Sequence, residues 1–131
     1  MSGVMIFFVG LLFGTFASAA ELPSEFLLTV EIPRTSQVEI HVLREKTDFV
    51  ISYSKSEKLE SRKFSEAVVS KLFKDLWSAT PPYDQWPTDV SCAQMHRWRI
   101  KMDGKTRQVC GREKIEKALL RFQNSVSQIF R

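Results

Sequence analysis

The stretch from Cys92 to Cys110, CAQMHRWRIKMDGKTRQVC, constrains this chain more than any other. Asp103-Gly104 lies between two runs of alternating residues, and an Asp-Gly pair suits the type I′ turn, whose two central residues need positive φ. Before the turn, Trp98, Ile100 and Met102 point one way and Arg97, Arg99 and Lys101 the other, the period of a half-buried strand. A two-residue turn then sets Met102 opposite Lys105, Trp98 opposite Val109 and Arg97 opposite Cys110. Cys92 lies five residues before Arg97. Extended chain would put it about 16 Å away from that point, whereas a disulfide needs Cα atoms within about 7 Å. A Cys92–Cys110 bridge therefore requires the chain from Cys92 to His96 to curl back as a turn or bulge.

The bridge is expected because of where the chain is sent. Residues 1–20, MSGVMIFFVGLLFGTFASAA, carry no charged side chain, run apolar from Val4 to Phe16 and end in small residues before Glu21. That is the pattern of a secretory signal peptide, although its n-region has only the α-amino group for charge. An uncleaved segment of this length would instead anchor the chain in a membrane. An even cysteine count in an exported chain implies a disulfide, and the absence of a Cys-x-x-Cys pair assigns it a structural rather than a redox role. Residues 21–131 are expected to form one domain, located in the periplasm or secreted.

Alternation continues upstream. Leu28, Val30 and Ile32, then Val38, Ile40 and Val42, then Phe49, Ile51 and Tyr53 mark three strands of an antiparallel meander. The segment from Leu59 to Phe64 suits a short fourth strand, with Leu59 and Phe64 expected in the core. Ser65 precedes a helical stripe of Val68, Leu72 and Leu76, with Val69 and Phe73 beside it, in a position to cap the helix. Pro81-Pro82 ends that helix. A last helix spans roughly residues 113–130, where Ile115, Leu119, Phe122, Val126 and Ile129 recur every three or four residues. Arg112, Lys114, Lys117 and Arg121 load its first half with positive charge, against the helix dipole. The order β-β-β-(β)-α-β-β-α predicts an α+β fold, an antiparallel sheet packed with two amphipathic helices.

The charge is uneven. Residues 21–80 hold nine Lys/Arg and ten Asp/Glu, whereas residues 81–131 hold ten and five, which accounts for the net charge of +4. A basic second half suits an anionic partner, and nucleic acid is not expected outside the cytosol. Arg97, Arg99 and Lys101 are the candidate contact residues, since like charges crowded on one strand face repel unless they meet an anion or deter edge pairing. Tyr83 and Trp86, in the loop before the hairpin, are candidate aromatic anchors that otherwise fold back over the core.

No catalytic constellation, metal-ligand spacing or cofactor fingerprint is present. His41 and His96 lack convergent partners in sequence, and Asp84 and Asp89, flanking Trp86, lack the spacing of a calcium loop. No metal and no cofactor are expected. The residues point to a small exported, non-enzymatic binding protein whose partner is a protein or an anionic envelope component. An inhibitor or immunity protein of a secreted or periplasmic hydrolase is the narrower alternative. A membrane-tethered accessory subunit requires residues 1–20 to stay attached.

Overall fold

The computed structural model describes residues 22–31, 37–88, 92, 96–111 and 114–131. The expected signal peptide, Asp89 and Arg112 lie outside the described residues. Six strands form one antiparallel sheet: β1 (Glu25–Glu31), β2 (Val38–Glu45), β3 (Asp48–Lys55), β4 (Lys58–Ser65), β5 (Arg97–Met102) and β6 (Lys105–Cys110), in the spatial order β4-β3-β2-β1-β5-β6. Among the described residues, two α-helices, α1 (Glu66–Ser78) and α2 (Lys114–Ile129), complete the α+β fold. Among the described residues, no helix is long and apolar enough to cross a membrane.

Position in the sheet follows apolarity. β1 carries the fully or almost fully buried Phe26, Leu28 and Val30 and lies in the interior, between β2 and β5. β4, KLESRKFS, has only Phe64 packed against the core and forms an edge. Leu59 does not join the core: its side chain lies on the opposite face and is 68% exposed. Period 2 sends the odd and even residues of β4 to opposite faces, so Leu59 and Phe64 cannot both be interior.

Both helices pack on one face of the sheet. The Phe26 ring stands 4.9 Å from Phe73 of α1 and 5.4 Å from Phe122 of α2, with 5.2 Å between the last two. The buried stripe of α1 is Val69, Leu72, Phe73 and Leu76, while Val68 faces solvent. Ser65 occupies the cap position in an extended conformation but makes no side-chain cap bond. At the other end, the Leu76 carbonyl, one of the last four that lack an i+4 donor within the helix, accepts the Ala79 backbone N–H at 3.2 Å and the Thr80 hydroxyl at 3.0 Å.

The hairpin has the expected register: Met102 faces Lys105, Trp98 faces Val109 and Arg97 faces Cys110. Asp103 and Gly104 have φ of +48° and +88°. Asp103 does more than turn the chain, because its carboxylate accepts the backbone N–H groups of Ser24 and Glu25, each at 3.0 Å. Cys92 and Cys110 form a disulfide with Cα atoms 5.3 Å apart. Because Cys110 also pairs with Arg97, Cys92 and Arg97 both lie beside Cys110, closer together than a fully extended five-residue step would leave them. The path of residues 93–95 lies outside the described residues.

Candidate binding surface

The helices cover one face of the sheet and leave the side chains of the other without a packing layer among the described residues. Across this uncovered face, strand pairing builds rows. Ser61, Ser52, His41, Leu27, Lys101 and Thr106 make one, and Leu59, Ser54, Glu39, Thr29, Arg99 and Gln108 the next. Every described aromatic ring lies on the helix side, at a loop or on a helix. The face therefore offers charge and hydroxyl groups rather than rings on which a sugar or base would stack.

Charge is segregated on it. Glu25, Glu31 and Glu39 occupy β1 and β2, and Arg97, Arg99 and Lys101 occupy β5. Arg97 Nη1 and Arg99 Nη2 each stand 3.9 Å from Glu31, which reaches them from the neighbouring strand with its two different oxygens. The Gln37 side chain donates to the same carboxylate at 3.5 Å. These contacts are longer than the roughly 2.7–2.9 Å of a close charge-assisted bond. Glu31 thus aligns the two guanidinium groups, which stay well exposed, without saturating their donors. Lys101, opposite Leu27 and Thr106, has no ion-pair partner among the described residues.

A second basic array corresponds to the charge loading of the last helix, a pattern that sequence alone did not mark as a surface. Lys114, Lys117 and Arg121 are exposed at helical spacing along α2 and form no salt bridge among the described residues. Glu116, within this basic run, turns inward: it accepts the Trp98 indole N–H at 2.8 Å and lies 3.5 Å from His96 Nδ1. That contact ties the start of α2 to the foot of the hairpin.

Tyr83 and Trp86 point into the protein, only 9% and 2% exposed. Trp77, Tyr83 and Trp86 form a ring cluster with centroids 5.1–6.3 Å apart. The Trp86 indole N–H donates to the Pro81 carbonyl at 2.9 Å. The Tyr83 hydroxyl donates to Lys105 O at 2.7 Å and Ile100 O at 3.3 Å. Burial pushes the Tyr83 phenol up to about 12, with the nearby Arg107 guanidinium pulling the other way. Arg107 stacks over the ring at 5.0 Å and donates to the Tyr83 carbonyl. Tyr83 anchors the loop to the β5–β6 hairpin, Trp86 packs against Tyr83 and Trp77, and neither ring is presented to a partner.

The remaining candidates are dispersed. Asp84 is exposed, 3.7 Å from both Lys105 Nζ and Arg107 Nη2. His41 lies on the uncovered face, its Nε2 2.9 Å from Glu25. The Ser52 and Ser61 hydroxyls are 2.8 Å apart in the same row as His41, but no hydrogen bond joins either to the imidazole among the described residues. Among those residues no group of three His, Cys, Asp or Glu is placed to hold a metal ion. No family model, curated protein or solved structure matches the chain.

Proposed function

We propose that the chain is a small exported, non-enzymatic binding protein that holds an anionic partner, an acidic protein or an anionic envelope component, on the uncovered face of its sheet. The observation that carries this reading is the alignment of Arg97, Arg99 and Lys101 along β5, a strand paired on both sides. Such a strand presents its charges on a backbone that needs little further ordering, which lowers the cost of binding. The two arginines present planar forks to carboxylate or phosphate oxygens, and Lys101 adds a point charge. Export is supported by the disulfide, which persists in oxidising compartments, together with the sequence pattern of residues 1–20.

The test is an affinity pull-down from an envelope or secreted fraction with the purified, oxidised protein, washed at low and at high salt. Two charge-reversed forms serve as controls, one Arg97→Glu/Arg99→Glu/Lys101→Glu and the other Lys114→Glu/Lys117→Glu/Arg121→Glu. Material lost with the β5 variant and retained by the α2 variant supports the strand face, and the reverse pattern moves the site to the helix. Screening shortens to about 3 Å at 1 M salt, so a general anion binder releases its partner in the high-salt wash. One stoichiometric protein that survives that wash instead identifies an inhibitor-type complex. Binding unchanged by both reversals refutes an electrostatic surface of either kind.

A further inference from the structure

The two edges of the sheet are treated differently. Along β6, the Gln108 N–H donates to the Pro87 carbonyl at 2.9 Å, and Tyr83 and Arg107 bind the same loop to the strand. That edge is covered. β4 pairs with β3 without interruption from Lys58 to Ser65, and no strand lies on its outer side among the described residues. Natural edge strands are commonly short, bulged or charged to prevent pairing. β4 is as long as β3 and unbroken, and among the described residues its only protection is charge.

We propose that β4 pairs antiparallel with β4 of a second copy of this chain, about a two-fold axis at Ser61. Charge and paired length together select this register, since centring on Leu59 also opposes Lys58 and Glu60 but pairs only residues 58–60 of the strand. Centred on Glu60, the pairing sets Glu60 against Glu60 and Lys58 against Arg62. Centred on Arg62, it sets Arg62 against Arg62. Centred on Ser61, it places Glu60 opposite Arg62 twice, and the aliphatic stem of Lys63 opposite Leu59, the most exposed large apolar side chain described. Directly opposed cross-strand residues of opposite charge stabilise a pair, and like charges destabilise it. Arg62 is already oriented, donating to the Phe130 carbonyl at 3.1 Å and lying over that ring, yet nearly half of its side chain is exposed. An open depression of about 650 Å³ bordered by Tyr53, Lys55, Ser56, Lys58, Leu59 and Glu60 leaves room where the partner's chain turns into α1. A two-fold about the sheet normal keeps the helices of both copies on one side and joins the sheets into one. Because the β6 edge is covered, the assembly closes at two copies instead of growing.

Sedimentation velocity of the purified, oxidised protein over a concentration series tests this, with far-UV circular dichroism to verify the fold of each variant. The expected result is a reversible monomer–dimer equilibrium. Glu60→Arg places like charges together twice and weakens association by about tenfold or more, and the exchange Glu60→Arg/Arg62→Glu restores it. Because Arg62 also supports the C-terminal end, Ser61→Cys gives an independent readout. Mild oxidation links this variant into dimers, whereas Ser52→Cys, one strand inward, stays unlinked. A monomer at every concentration, a dimer indifferent to Glu60→Arg, or a Ser61→Cys protein that links no faster than Ser52→Cys overturns the proposal.

Discussion

Replacing Tyr83 by Phe removes one hydroxyl and little else, and its consequence changes with pH in a calculable way. The Tyr83 hydroxyl is shared between the Lys105 carbonyl at 2.7 Å and the Ile100 carbonyl at 3.3 Å, so its loss costs about 1–1.5 kcal/mol at neutral pH. Burial raises the phenol to about 12 in the folded protein, against about 10 in the unfolded chain. A raised pKa means that the folded state favours the neutral phenol. The associated stability is complete below about pH 10 and is lost as pH rises toward 12. With those two values, about 1.4 kcal/mol disappears between about pH 9 and pH 11. A phenylalanine at this position has no proton to lose. The difference in stability between the wild type and Tyr83→Phe should therefore shrink from about 1 kcal/mol at neutral pH to near zero at about pH 11. Urea denaturation followed by tryptophan fluorescence measures it, since Trp77 and Trp86 lie within 6.3 Å of the Tyr83 ring. Other groups titrate in this range, but they do so in both proteins and cancel in the difference. A gap that stays constant up to about pH 11 would show that Tyr83 ionises alike in both states and would refute the reasoning.

Three further outcomes follow from local geometry. Removing the bridge with Cys92→Ala/Cys110→Ala releases a loop of 18 residues in sequence separation and should lower stability by about 3 kcal/mol, read as a fall in the urea midpoint that added reductant reproduces in the wild type. Glu57→Gly should raise stability by about 0.5–1 kcal/mol, because Glu57 sits at φ +69° in a glycine-free turn; an unchanged thermal midpoint would count against strain there. Gly104→Ala should cost about 1–2 kcal/mol from backbone conformation alone, since φ is +88° and an added Cβ meets nothing within 4 Å; its urea midpoint should fall accordingly.

The candidate surface is only partly legible in sequence. Alternation places Arg97, Arg99 and Lys101 on one side of their strand, and the same alternation holds in three dimensions. It does not reveal Glu31, which reaches two of the three from a strand far earlier in the chain. Nor does it distinguish an outward loop aromatic from an inward one. The inward position of Tyr83 depends on the carbonyls of Ile100 and Lys105, which the hairpin brings to it. The side chains of Lys114, Lys117 and Arg121 are visible as a charge pattern, but their lack of salt bridges among the described residues is a property of the packed helix.

Short-range geometry and period settle a definite share of this protein before any tertiary contact forms. Asp103-Gly104 with alternating flanks specifies the β5–β6 register residue by residue, since a two-residue turn permits one alignment. The even cysteine count specifies the bridge, and the apolar stripes specify both helices within a residue or two at their ends. The rest belongs to the assembled fold. It places β1 beside β5, so that the first strand lies inside the sheet and the fourth at its edge, a choice made by the burial of Phe26, Leu28 and Val30 against helices from distant parts of the chain. It chooses which face those helices cover, turns Leu59 outward and Tyr83 inward, and, among the described residues, covers one edge of the sheet and leaves the other open. Local preference acts over a few residues, whereas strand order and burial are settled by the competition of all apolar side chains for one core.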